Sequence, residues 1–204
     1  MSALLRHLSH FAKAQEGIAY FEFAIIAPIL VALLTGSIEL TRYMLVTQKI
    51  EKVAMTIPDI TAQGQTVSTA DLDNFMLAAA QLMKPYDFGA DGYVIITSVS
   101  QSGVYSAGNQ PKVNWQYAGG GSFTHSSQIG SVGANATIPG GMILADKDNI
   151  IIAEVYYNYK TLILDNGAVG NNTIYRFGIY RPRLGALTTL SALPCWFNPK
   201  EASL

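Results

Sequence analysis

Three things are scarce in this chain of 204 residues, and each scarcity closes off a class of chemistry. Cysteine occurs once, at Cys195. One thiol makes no intramolecular disulfide and no cysteine-based metal centre, so its ordinary reading is a small buried apolar residue. Charge is the second. Asp, Glu, Lys and Arg make up 13% of the chain, against about 25% in an average soluble protein. The 14 acids and 13 bases nearly cancel and form no block or basic face, which argues against a nucleic-acid partner. Histidine is the third, with only His7, His10 and His125. There is no His-x-x-x-His pair, phosphate-binding loop or dinucleotide fingerprint, so no metal and no cofactor is expected. His125 sits beside Ser126 and Ser127, yet no Gly-x-Ser-x-Gly elbow and no placed acid accompanies it. No catalytic residue is assigned, and an enzyme is not expected.

Two weaker patterns have bland readings. Asp146-Lys-Asp148-Asn149 gathers oxygen donors, but it lacks the bidentate Glu and the spacing of an EF-hand, so it reads as a turn rather than a calcium loop. Asn135-Ala-Thr137 and Asn171-Asn-Thr173 fit a glycosylation pattern that matters only in a secretory eukaryotic setting.

What the chain does have is an uninterrupted apolar run. Ile18 to Ile38 contains no Lys or Arg and one acid, Glu22. At about 1.5 Å rise per residue a helix of that length spans about 30 Å, the thickness of a bilayer core. The pattern then changes without a break. Tyr43, Val46, Ile50, Val53 and Ile57 recur at steps of three and four, which places them on one helical face, with Gln48, Lys49, Glu51 and Lys52 opposite. A membrane span thus continues into an amphipathic stalk, and Pro58 is the first strong stop. Upstream, residues 1–17 carry Arg6, Lys13, His7 and His10 against Glu16. Bases ahead of the span put the amino end in the cytoplasm and the rest of the chain outside it.

Three readings of this region stay open on the residues alone. A secretory signal would use Thr35-Gly36-Ser37 as its small-residue cleavage site, although the apolar run is long for one. A plain single-span anchor explains the length and the flanks but not the acid. In the third reading the chain is cut between Gly17 and Ile18. The new ammonium of Ile18 then lies one helical turn from Glu22, and the carboxylate of one helix meets the ammonium of a neighbour shifted along the axis. Such pairing removes an unpaired charge from lipid and sets the stagger of an assembly.

The string Gly17-Ile-Ala-Tyr-Phe-Glu22-Phe23-Ala-Ile-Ile-Ala-Pro28 resembles the amino-terminal region of TadE/TadF-type minor pseudopilins of bacterial tight-adherence (Flp-type) pili. Gly17 resembles the last leader residue, Ile18 the mature start, and Glu22-Phe23 the acid-aromatic pair at the fifth and sixth mature positions. Gly36-Ser-Ile-Glu39-Leu-Thr-Arg42 is similar to the close of the TadE-like segment. The resemblance covers positions 15 to 56. It implies cleavage by a prepilin peptidase, partners among other pilins and pseudopilins and at the inner-membrane assembly platform, and a minor role in the pilus or its assembly. It also makes Pro28 a local loosening that helps subunits slide into a filament. A tolerated span proline is the alternative.

Past the stalk, residues 59–67 read as a polar linker. Ser68-Thr-Ala-Asp71 has the shape of a capping box, and Leu72, Phe75, Met76, Ala79, Leu82 and Met83 follow at helical spacing up to Lys84-Pro85. Strands follow: Tyr93 to Ser100, then Val113, Trp115 and Tyr117 alternating with polar neighbours, then Ile150 to Leu164. In the third, Ile151, Ala153, Val155, Tyr157 and Tyr159 oppose Glu154, Asn158 and Lys160. Asp165-Asn-Gly167 is a turn signal, and Thr173 to Arg181 is a last strand with Tyr175, Phe177 and Ile179 on one face. Residues 118–141, rich in Gly and Ser, read as a long surface loop, mobile or used for contact. Tyr156, Tyr157, Tyr159, Tyr175 and Tyr180 fit either an interface or cross-strand pairs.

The expected fold is α+β: a long amino-terminal transmembrane and stalk helix, packed with a second helix against a sheet of about four antiparallel strands, as in pilins. The expected division is a cytoplasmic leader at 1–17, span and stalk at 18–57, an extracytoplasmic domain at 58–183 and a tail at 184–204. The expected setting is the bacterial inner membrane, crossed once, with the domain in the periplasm.

Overall fold

A computed structural model describes residues 16–161 and 172–191. The leader through Gln15, the turn at Asp165-Asn-Gly167, the histidines His7 and His10, and Cys195 lie outside the described residues. The described elements are α1 (Glu16–Gln63), α2 (Thr69–Met83), α3 (Phe88–Asp91), β1 (Gly92–Ser100), β2 (Lys112–Gly119), β3 (Asn149–Tyr159) and β4 (Asn172–Tyr180). The chain divides into two compact units, Met1–Arg42 and Tyr43–Leu204.

In the first unit, α1 presents Tyr20, Phe21, Phe23, Ile25, Ile26, Ile29, Leu30, Val31, Leu33 and Leu34 outward, all more than half exposed. Its few hydroxyls are turned inward. Thr35 Oγ1 donates to the carbonyls of Val31 and Ala32, both at 3.0 Å, and Ser37 Oγ donates to Leu34 at 2.8 Å. Serine and threonine hydroxyls bonded back onto their own helix suit hydrocarbon.

In the second unit, four antiparallel strands lie in the order β2-β1-β3-β4. One sheet face carries Val94, Ile96, Trp115, Ile151, Ala153, Val155, Tyr157, Tyr159 and Ile174. It packs against Val46, Ile50, Val53, Ala54 and Ile57 of α1 and against Leu72, Met76, Ala79 and Met83 of α2. The start of α2 is set locally. Ser68 Oγ accepts from the Asp71 N–H at 3.2 Å, and the Asp71 carboxylate accepts from the Ser68 N–H at 3.0 Å. That is a capping box with Asp in the usual Glu position. The helix ends at Met83, ahead of Pro85, as expected.

Four expectations need correction. Pro58 does not end the first helix, and the polar linker is shorter than expected, because α1 runs on to Gln63. Ile57, Thr61 and Ala62 are buried, and the last turn is closed by other chain segments. Arg183 N–H donates to the Ala62 carbonyl at 3.0 Å, and the Arg183 guanidinium pairs with Asp59 at 2.9 Å. Those contacts outweigh the one hydrogen bond that proline removes.

The second correction concerns β2. Ser98 pairs with Trp115, but Val99 pairs with Val113, leaving Asn114 as the extra residue of a bulge. Val113 therefore joins the opposite face from Trp115. The third is the Gly/Ser loop. It is no free loop, because Ile129, Ala136, Ile138 and Leu144 cover the second sheet face, against Val99, Val113, Ile150, Ile152 and Ile179. For the same reason the face of β4 with Tyr175 and Ile179 meets this cover and not the helices.

The fourth is the start of the tail. Residues 184–191 are woven into the domain. Leu187 is buried, and its carbonyl accepts from Ser98 Oγ at 2.6 Å and Trp115 Nε1 at 2.8 Å. Its N–H donates to Asn149 Oδ1 at 2.8 Å, and Ser191 N–H donates to the Val67 carbonyl at 2.7 Å.

Candidate membrane and assembly segment

Gly17 and Ile18 occupy the first residues of α1, where the backbone is already helical. Glu22 follows Ile18 by four residues, one helical turn, and is exposed, as are Phe23 and Pro28. Pro28 lies inside the helix, which continues on both sides of it. From Ala19 onward α1 is long and apolar enough to cross a membrane, and only 6% of its most apolar window is buried. A helix this apolar with so little covering fits a membrane span.

The stalk residues lie in the second unit. Val46, Ile50, Val53 and Ile57 are at most 1% exposed and form part of the main core. Tyr43 is half-exposed and meets the Tyr159 ring edge-on, with centroids 5.3 Å apart. Burying a Val or Ile side chain contributes about 1.5–3 kcal/mol, so this stripe ties the outer part of α1 to the sheet.

The remaining candidates are not brought together as chemistry would require. The Ser127 hydroxyl donates to Glu154, not to histidine. His125 places Nδ1 2.9 Å from the Ser126 carbonyl and lies flat against the Tyr156 ring, centroids 4.1 Å apart. Asp146 accepts from the Gly103 N–H at 2.6 Å. Asp148 accepts from the Ala145 N–H at 3.1 Å and pairs with Arg181 at 2.9 Å. Both aspartates thus close loops. Among the described residues no group of three His, Cys, Asp or Glu side chains is placed to hold a metal.

One polar centre escapes the sequence reading. Glu154, assigned by alternation to a polar face, is fully buried. Its carboxylate accepts from Ser127 Oγ, from the Gln128 N–H at 2.8 Å, from Tyr156 Oη at 2.9 Å and from Tyr175 Oη at 3.3 Å. Burial, reinforced by the nearby Glu154 charge, pushes the Tyr156 and Tyr175 phenols well above their ordinary range. Tyr117 is also raised, chiefly by its hydrogen bond to Asp73. The available signal for Glu154 was its place as the lone acid in a run whose other face, Ile150 and Ile152, is as apolar as the first. Tyr156, Tyr157 and Tyr159 are buried, and Tyr156 sits directly across from Tyr175, so cross-strand packing claims them.

No curated protein and no solved structure matches the chain. The amino-terminal part does have a match. Residues 17–57, running from the glycine before the apolar run to the last buried isoleucine of the stalk, match the family model described as TadE-like protein.

Proposed function

We propose that the chain is a minor pseudopilin of a tight-adherence pilus. A TadE-like segment on a long apolar helix fits a pilus-associated membrane protein, and the match over residues 17–57 carries the reading. In it, α1 anchors the protein in the bacterial inner membrane with the amino end cytoplasmic and the domain periplasmic. A prepilin peptidase removes residues 1–17. The freed Ile18 ammonium of one subunit then meets Glu22 of an adjoining pilin or pseudopilin at the assembly platform. An ion pair of this kind fixes register more than it adds stability. Helix continuity through Thr35-Gly36-Ser37, with both hydroxyls bonded inside the helix, supports a retained span over a cleaved secretory signal. The protein acts as a structural component and as a substrate of the peptidase.

A single-span anchored or secreted binding module is the second reading. It is favoured by exposed apolar side chains on the loops at one end of the sheet: Val104, at 81% exposure, and Tyr105, Met142 and Ile143, which line a cavity of about 240 Å³. Amino-terminal sequencing of the membrane-purified protein separates the two. A start at Ile18 supports the pseudopilin, Met1 supports the anchored form of the module, and Ile38 supports its secreted form.

A further inference from the structure

The cover over the second sheet face is fastened unevenly. Before it, Ser122 N–H donates to the Gly89 carbonyl at 2.8 Å. After it, residues 133–136 bond to the edge of β2. Val113 N–H donates to Ala134, Gly133 N–H to Val113, and Ala136 N–H to Pro111, at 3.1, 2.8 and 2.7 Å. Between these anchors lie residues 123–130. Among the described residues, no backbone-to-backbone hydrogen bond joins this stretch to the sheet. Its one such bond goes onward within the cover, from Thr137 N–H to the Ile129 carbonyl at 2.7 Å.

Side chains hold the stretch instead. Glu154 accepts from Ser127 and Gln128, Tyr156 Oη donates to the Ser126 carbonyl at 3.2 Å, and Gln116 Nε2 donates to the Gly130 carbonyl at 2.8 Å. Apart from Ile129, no side chain of the stretch is fully buried. Gly130, with φ 129°, supplies the flexible end, since its backbone lies where side-chain-bearing residues are strained.

We propose that residues 123–130 are a flap that opens as one unit, with Glu154 as its latch. The carboxylate is well suited to that task. It is buried on the central strand β3, and among the described residues its donors (a serine hydroxyl, a backbone N–H and two phenols) are all uncharged. Two of them belong to the flap and two to the sheet. Opening removes the flap donors and brings water to the carboxylate in exchange, so the anion is never left both dry and unpaired. It also lifts the His125 ring from Tyr156 and uncovers a carboxylate flanked by the Tyr156 and Tyr175 rings. Segments with few buried apolar contacts and no backbone ladder are those that open below the global unfolding limit.

Native-state hydrogen exchange on the full chain in detergent micelles or nanodiscs tests this. The amides of Gln128 and Ile129 are expected to exchange with little dependence on denaturant, while β1 and β3 amides exchange only with global unfolding. In Glu154→Gln, exchange at Gln128 and Ile129 is expected to rise about tenfold or more relative to β1. Ser127→Ala, which keeps the buried charge, should accelerate the same amides with β1 and β3 unchanged. The inference is overturned if Gln128 and Ile129 show the same denaturant dependence as the strands, or if both substitutions raise exchange evenly across the domain.

Discussion

Gly178 on β4 lies against the carbonyl oxygen of Ala54 on α1, so close that a Cβ at position 178 would stand within 3.0 Å of it. In an unbroken helix that carbonyl would accept from the N–H of residue 58, which is Pro58 and has none. The same Cβ would be 3.2 Å from the proline ring. The helix thus crosses the edge strand at its own missing hydrogen bond, and a residue without a side chain lets the two backbones meet.

Gly178→Ala should therefore be costly although Gly178 sits in a strand, where alanine is normally the better residue. Forcing a methyl into a packed site costs about 1–3 kcal/mol, and the obstacle here is backbone, so the upper part of that range is expected. For a chain of this size that lowers Tm by about 6–12 °C. Thermal melts followed by circular dichroism read the effect. Ala54→Gly in the same chain should not rescue it, because it removes a side chain and leaves the carbonyl where it is.

The Ser68–Asp71 box offers a local contrast. The Asp71 carboxylate accepts from both the N–H and the hydroxyl of Ser68, at 3.0 and 2.6 Å. Losing an N-cap of this kind costs about 0.5–2 kcal/mol. Asp71→Ala and Ser68→Ala should each destabilise by about that amount, and the double variant should cost well below their sum because both break the same pair. Urea denaturation of the three variants measures it, with full additivity counting against a reciprocal cap.

These two cases show where the fold is legible in the chain and where it is not. The box, the stripe of α2 and its stop before Pro85 are nearest-neighbour chemistry, so the stretch from Ser68 to Pro85 contains the whole signal. Strand signals are equally local: a β-branched, apolar run marks β1, and alternation marks β3 and β4. The contact of Ala54 with Gly178 joins residues far apart in sequence, and no local pattern announces that Pro58 will be carried inside a helix. The bulge at Asn114 shifts a register through pairing with β1. The cover over the second sheet face has no period, so Ile129 and Leu144 look like stray apolar residues until the sheet is beneath them. Glu154 is missed for the same reason: alternation identifies a face, not what lies over it. The apolar run from Ile18 is plain because composition alone marks it. The proposed processing at Gly17 and pairing of Glu22 would take place between molecules, which the fold of one chain does not encode.

Tyr156 and Tyr175 give a pH prediction. Both phenols are raised from 10.0 by burial first and by Glu154 second, so folding favours their neutral forms. Their contribution to stability is complete below pH 10.0, the unfolded value, and is lost as pH rises above it. Spectrophotometric titration of the folded protein should show the Tyr156 and Tyr175 phenols delayed to the alkaline unfolding transition. Tyr156→Phe and Tyr175→Phe should each remove one delayed phenol. Ionisation of all tyrosines in one ordinary step, without unfolding, would contradict the buried Glu154 centre.

Glu22→Ala tests the assembly reading at its most exposed point. Removing one acid from an apolar span makes insertion easier, by up to a few kcal/mol at the depth of the bilayer centre and less near its edge. The variant protein should therefore remain in the membrane fraction at wild-type level or above. If Glu22 meets the Ile18 ammonium of a neighbour, the variant leaves that ammonium unpaired, and recruitment into the pilus or piliation itself should fall about tenfold or more, since a buried charge stripped of its partner costs about 3–5 kcal/mol. Glu22→Asp keeps the charge but shortens the reach by one methylene, and should give an intermediate loss. The measurements are immunoblots of membrane and sheared-pilus fractions alongside pilus counts by electron microscopy. Full piliation with Glu22→Ala would show that the acid takes no part in assembly, and the stagger would then have to come from packing of the apolar side chains alone.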